Sequence, residues 1–388
     1  MTSASWDEAR SVLCIRLDSL GDVLMCTPAI RAIKQSRPGR CVTLLSSRSG
    51  AAAAPFIPEL DAVLDYPAPW MKSSARHLPA VDMAFIDALA ARRFDAVVIF
   101  TSYSQSALPA AMMCYLAGIP LRLAHCRENP YQMLSHWLPD PEPETMVKHE
   151  VRRQLDLVAS IGCTAASAGL SFTVRHSDTE SVRAKLATLG VNVDQQFILL
   201  HPGASAPSRR YPPGQWAQVI TNLAARTRLP MVLTGDTDEL PLITQIADAG
   251  TGNVKSCGGL FDLGELGAAI KLASLVISNN TGPAHIAAAV GTPLVDLYAL
   301  TNPQHTPWQV ECRVLFNDVP CRFCQKSVCP EGHNDCLKGI TAERVVDAAC
   351  SLLARSARAK LKAMVGRTWT HEAAEIPLLP IKRGKPGL

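Results

Sequence analysis

Short apolar, β-rich runs that each lead into a turn and then a helical pattern limit the fold of this chain more than any other feature. They fall at 12–17, 41–46, 62–66 and 96–100, with helical periodicity at 27–36 and 81–93. A second series occupies 197–200, 231–234, 275–278 and 294–298, with helices expected over 214–227, 239–249 and 263–272. Strands this uniformly apolar are buried on both faces, and consecutive parallel strands need a crossover, usually a helix. The alternation predicts an α/β chain of two Rossmann-like, doubly wound domains. The expected boundaries are 1–180 and 190–355, joined somewhere within 174–195, with 356–388 as a basic tail. Open sheets of this kind collect ligands at the carboxyl ends of their strands, so two such edges are expected to face each other across a cleft.

Composition agrees with two cores. The chain has 388 residues, 48% of them hydrophobic, and single cores stop growing near 250–300 residues. The longest apolar run, 107–121, is interrupted by Pro109, Gly118 and Pro120, which is too broken for a membrane span. The first residues, MTSASWDEAR, carry early acids and no apolar segment of the secretory kind. A soluble, cytoplasmic protein is the expectation. Thirteen cysteines are scattered along the chain, and Cys14, Cys26, Cys41 and Cys114 lie in apolar segments as small hydrophobes would in a reducing compartment. The net charge of +4 is concentrated at the end: from Arg355 onward eight Lys or Arg stand against two Glu. Such a tail suits peripheral contact with an anionic membrane face, or simply a solvated helix end.

Four segments carry chemistry. The first, RLDSLGDVLMC at 16–26, ends a strand and places Asp18, Gly21 and Asp22 at a ligand edge. A carboxylate there would repel a bare phosphate, so Asp22 asks for another explanation, the N-cap of a helix over 23–36 being one. The second, HPGASAPSRRYPP, follows the strand at 197–200; Gly203 permits close backbone approach, Ser205 offers a hydroxyl, and Arg209 and Arg210 offer charge for a diphosphate. In the third, SNNTGPAHIAAAVGTP, Asn280, Thr281 and Gly282 lead into a helix begun by Pro283. Its unpaired amides, with His285 in the first turn, form a receptor for phosphate and ribose. Two such turns with Arg209 nearby imply a nucleoside diphosphate. No Walker loop is present and no GxGxxG follows the first strand, so kinases and dehydrogenases have little support, and nothing suggests nucleic acid. The fourth, CRFCQKSVCPEGHNDCL, sets Cys321, Cys324, Cys329 and Cys336 beside His333. A CxxC followed by two thiols suits a structural zinc or iron, although the later spacings are irregular; reduced, packed thiols and disulfides are the alternatives.

Together RLDSLGD, the HPGAS turn, SNNTGPAHIAAAVGTP and the cysteine segment, in that order over about 12–353, resemble glycosyltransferase family 9, the bacterial ADP-heptose:lipopolysaccharide heptosyltransferases. The resemblance implies a GT-B architecture, with the sugar nucleotide on the second domain and the acceptor on the first. It also implies inversion at the anomeric carbon with no catalytic metal. By the same resemblance Asp22 is the general base, and Arg209 stands where the family has a phosphate-binding lysine. Asn280 stands where many members carry Asp, which leaves donor choice less fixed. An acidic lipopolysaccharide acceptor at the inner membrane face follows from the family. The cations offered for it by the first domain are Lys72 and Arg76 in the 67–80 loop and Arg122 after GIPL. Other readings are transfer from another nucleotide sugar, transfer to an acceptor outside lipopolysaccharide, a UDP-sugar epimerase, and a non-catalytic, metal-stabilised binding or assembly module.

Overall fold

The computed structural model describes residues 5–72 and 77–364, with side chains as far as Arg355. It contains two six-stranded sheets. The first comprises β1 (Ser11–Arg16), β2 (Cys41–Ser46), β3 (Ala62–Asp65), β4 (Ala96–Ile99), β5 (Leu121–Cys126) and β6 (His136–Pro139). The second comprises β7 (Ile198–His201), β8 (Met231–Gly235), β9 (Val254–Gly258), β10 (Leu275–Asn279), β11 (Leu294–Leu297) and β12 (Cys312–Leu315). Every strand pair is parallel, and the orders are β3-β2-β1-β4-β5-β6 and β12-β11-β10-β7-β8-β9. Each sheet is thus a full doubly wound unit whose order reverses beside its first strand, at β1/β4 and at β7/β10.

The alternation of β1 shows why its sequence is apolar throughout. Leu13 and Ile15 enter the core on one face, with Val97, Ile99 and Ala111, while Val12 and Cys14 enter the other, with Ile30, Ile33 and Val98. In the second sheet Ile198, Leu200 and Ile277 pack with Trp216, and Leu199 and Val276 pack on the opposite face. Burying a side chain of this size fully contributes about 1.5–3 kcal/mol. Four strands lie outside the runs that alternation selects, and three of them, β6, β9 and β12, are edge strands only partly covered. β5 begins directly after Pro120 and carries Arg122 and His125 among its apolar residues.

The crossing between halves is sharp. Thr173 N–H still donates to the Phe56 carbonyl (2.7 Å), and Phe56 stacks on Phe172 at 4.7 Å. The next helix, His176–Thr188, packs on Leu263–Leu272 of the second half. The halves also share a core: Val23 and Leu24 of the Leu20–Gln35 helix join Ala284, Ile286 and Ala287 of the Gly282–Val290 helix. Gly21 is what lets those helix starts meet. A Cβ there would lie 2.6 Å from His285 Cδ2.

Cysteine usage is mixed. Cys14, Cys26 and Cys114 are buried as expected, but Cys41 is exposed at the start of β2, and all thirteen are free thiols. No helix among the described residues is long and apolar enough to cross a membrane. The tail from 365 onward lies outside the described residues.

Candidate active site

β1 ends in Arg16, whose side chain is 1% exposed and therefore needs ionic partners. It has three. Nε lies 2.8 Å from Asp18 Oδ2, Nη2 lies 3.2 Å from Asp22 Oδ1, and Nη1 donates to Glu150 Oε1 at 2.6 Å. Asp22 is the third residue of the Leu20–Gln35 helix and Ser19 is its N-cap, so the helix begins earlier than 23 and Asp22 is not its N-cap. Instead it closes a capping box, accepting from the Ser19 hydroxyl at 2.6 Å and the Ser19 amide at 3.2 Å. Capping and catalysis are compatible because a carboxylate accepts several bonds.

The three carboxylates differ in basicity. Burial pushes the Asp22 carboxyl up, but the Arg16 guanidinium, His305 and Ser19 together hold it well below the usual carboxylate range. Glu150 follows the same balance and settles at about 2, with Arg16 and His305 overcoming burial. Asp18 goes the other way: burial, with Asp22 and Glu150 adding to it, raises its carboxyl despite Arg16 and a 2.7 Å bond from Gln105 Nε2.

From the second half, the HPGAS turn contributes Arg209. Arg210 Nε turns back to the Ala204 carbonyl (2.7 Å), whereas Arg209 lines the cavity. The turn is anchored behind by Tyr211, whose hydroxyl donates to the Ile340 carbonyl (2.6 Å) and whose ring meets Trp216 edge-on at 5.7 Å. Asn280 is buried, donating to Asp296 Oδ2 at 2.9 Å and to the His305 carbonyl at 3.0 Å. Burial pushes the Asp296 carboxyl up to about 7, and its Oδ1 has no hydrogen-bond partner. A carboxylate thus stands beside Asn280, although the position itself is an amide. Thr281 caps the Gly282–Val290 helix, and Gly282 would bring a Cβ within 3.0 Å of Leu20. Burial pushes the His285 imidazole down to about 3, which keeps the ring neutral against Gly21.

A cavity of about 210 Å³ lies between the halves, with Arg16, Asp18 and Asp22 on one wall, Arg209 and Lys326 on the other, and His305 beside Asp22. A carboxylate pole faces a cationic pole, as required to take a proton at one end of a reacting pair and stabilise a departing anion at the other. A second cavity of about 300 Å³ adjoins it in the first half, shares Asp18, Ser104 and Gln105 with it, and has an apolar floor that includes Trp70, Met71 and Leu17.

Of the sequence-derived candidates, Asp22 and Arg209 meet on this cavity. Asn280 and His285 back it from behind, and Thr281 and Gly282 form the adjoining helix start. Ser205 is exposed on the turn beside it. Lys72 is exposed next to Met71 of the second cavity, and Arg76 lies outside the described residues. Arg122 is a correction. It is the second residue of β5, at the end of the sheet away from the cleft. Its guanidinium donates to the carbonyls of Ile119, Pro120, Gln132 and Met133 and lies over Tyr115, so four of its five N–H donors tie a turn together far from any acceptor in the cleft. Cys321 Sγ approaches His333 Nε2 at 3.7 Å. Among the described residues no three His, Cys, Asp or Glu side chains gather as a metal would require.

Several site residues escaped sequence reading. Arg16 had a signal, a charge closing an apolar strand. Asp18 was visible in the turn but unassigned. Glu150, His305, Gln105 and Lys326 had none, because each reaches the site from a distant element. The cysteine segment forms part of the cleft wall: Ser208 N–H and Oγ donate to the Ser327 and Lys326 carbonyls at 3.0 and 2.8 Å. Across the cleft, Gln325 Nε2 donates to Tyr103 Oη at 2.8 Å.

Comparison with known proteins gives a family and a fold. The sequence model of glycosyltransferase family 9 (heptosyltransferase) matches residues 83–334. The chain is 26% identical over 293 residues to lipopolysaccharide heptosyltransferase 3 of Escherichia coli, covering 74% of this chain and 83% of that protein. A family 9 glycosyltransferase structure from Veillonella parvula superposes with a TM-score of 0.74 at 20% identity, over 90% of this chain and 98% of that one. The E. coli heptosyltransferase WaaC, solved with ADP-2-deoxy-2-fluoro heptose, gives 0.61 at 19% identity, over 88% and 99%.

Proposed function

The chain belongs to glycosyltransferase family 9, and from that premise we propose that it transfers heptose from ADP-heptose to a hydroxyl of a lipopolysaccharide inner-core acceptor, inverting the anomeric carbon. The bond from the anomeric carbon to the β-phosphate oxygen breaks and its electron pair leaves with ADP. The acceptor oxygen forms the new bond on the opposite face, and its proton passes to Asp22.

The observation that carries this reading is the placing of Asp22 and Arg209 on opposite walls of one cavity. Arg209, with Ser205, Thr281 and the amides opening the Gly282–Val290 helix, would neutralise charge growing on the leaving diphosphate. The carboxylates of Asp22 and Asp18 lie where positive charge develops on the sugar, an arrangement also used in glycoside hydrolysis. Asp22 stays ionised at neutral pH, so it is ready to accept a proton that is released only as the new bond forms. An acceptor sugar would enter through the second cavity, packing an apolar face near Trp70 while its hydroxyls reach Asp18 and Gln105. The acceptor is an acidic glycolipid, which brings the enzyme to the inner membrane face, with Lys72 as a rim cation. In this reading the chemistry needs no catalytic metal, and the cysteine segment's thiols take no part in it.

The test is Asp22→Asn, which preserves shape and removes the base. Turnover with ADP-heptose and a heptose-deficient acceptor should fall by about 10²–10⁴, the usual contribution of a positioned base, while ADP binding by calorimetry stays within about twofold. Near-normal turnover would leave Asp22 as a helix cap only.

A further inference from the structure

His305 is 8% exposed and sits between the halves, yet it has no part in the transfer step. Its backbone is fixed from both sides. The carbonyl of Gln304 accepts from Glu150 N–H (3.0 Å), that of His305 from Asn280 Nδ2 (3.0 Å), and that of Thr306 from His149 Nε2 (2.8 Å). Three consecutive carbonyls therefore bind the first half, the donor loop, and the first half again. The ring is fixed too. Asn302 Nδ2 can only donate, so at 2.8 Å it makes His305 Nδ1 an acceptor and leaves the ring proton on Nε2. That N–H points between two carboxylates, 3.8 Å from Asp22 Oδ1 and 3.7 Å from Glu150 Oε2. At these distances neither contact is a hydrogen bond, and Nε2 and Glu150 Oε2 are both buried without a partner. Arg16 lies behind the two carboxylates, and His149 and His285 are near enough to the ring to couple with it electrostatically.

Buried, unpaired donors are rare because they forfeit their hydration without replacement. Here, a closure of well under 1 Å brings the Nε2 proton into bonding range of Asp22. We propose that His305 is a positioning residue for Asp22: its Nε2–H engages the Asp22 carboxylate when donor draws the halves together, so the base is aligned only with the donor site occupied. This rests on the reading of Asp22 as the base. The His305 carbonyl bonds to Asn280 of the donor turn and its ring faces the base, so one residue spans both sites.

The experiment compares three substitutions. Glutamine places an amide N–H near the position of Nε2, asparagine places it near Nδ1, and alanine supplies none. His305→Ala and His305→Asn should each lower kcat by about 10- to 100-fold, the range for loss of a hydrogen bond to a charged group. His305→Gln should recover to within about threefold of the parent. ADP affinity should stay within about twofold in all three, with unchanged thermal midpoints. Asn302→Ala, which leaves the imidazole but frees it to turn, should lower kcat in the same sense and keeps the test open if a His305 variant does not fold. Parental kcat in His305→Asn or Asn302→Ala would overturn the proposal. So would equal losses in Asn and Gln accompanied by weaker ADP binding, since the segment would then only shape the donor site. Because Asp22→Asn is measured separately, an inactive Asp22 variant beside a normal His305→Ala rejects this inference alone.

Discussion

At the residue scale the site is governed by a single buried guanidinium. Arg16 cannot be buried without partners, and once three carboxylates surround it their basicities separate, Asp22 and Glu150 downward and Asp18 upward. Environment rather than residue type thus divides the roles of chemically identical groups. The downward shift of Glu150, from 4.5 to about 2, has a consequence for stability. A carboxyl depressed in the folded state binds protons more readily when unfolded, so its contribution is complete above pH 4.5 and is lost as pH falls through about 2. Glu150→Gln should lower the melting temperature at pH 7 and flatten its decline over that acid window. Parallel melting-temperature curves for the two proteins would show that Arg16 does not depend on Glu150.

At the element scale, two helix starts control the site. The Leu20–Gln35 and Gly282–Val290 helices bring Asp22 and the donor-side amides together because Gly21 has no side chain to hold His285 away. Gly21→Ala introduces a Cβ 2.6 Å from a buried ring atom, so something has to shift. A helical site tolerates alanine, and the expected loss is therefore in alignment rather than in helix formation. Turnover should drop by at least about tenfold, the scale of effect that a misplacement near 1 Å produces, while far-UV circular dichroism is retained. Full activity in Gly21→Ala would mean that the helix contact does not set the cleft.

At the scale of the whole molecule, the cleft is bipolar. Acidic groups come from the first sheet's edge, and Arg209 and Lys326 come from the second half. Arg209→Ala and Lys326→Ala should each weaken ADP binding by about tenfold, in keeping with a hydrogen bond to a charged group. Raising the salt concentration should shrink both differences, because screening acts on the charge they supply. If Lys326→Ala leaves ADP affinity unchanged but raises acceptor KM, the ammonium serves the acceptor; if neither moves, it is only a rim charge. Lys326 also explains part of what sequence reading could and could not reach. The strands carrying continuous apolar runs, the turns after β1, β7 and β10, and the candidates Asp22 and Arg209 are all local patterns, with cause and effect within about ten residues. Edge strands such as β6 and β12 are half-covered and lack that signature. Arg122 looked available in sequence, but the turn formed by Ile119, Pro120, Gln132 and Met133 takes four of its five N–H donors. The Arg16 cluster joins residues 134 apart in the chain, and Gln325 meets Tyr103 across 222. The sequence alone determined that the chain winds two parallel sheets and that each sends a turn into the cleft, because burial and backbone freedom are written in neighbouring residues. Only the tertiary structure decided which charges share a cavity and which are tied to backbone carbonyls, because electrostatic partners are chosen by distance in space.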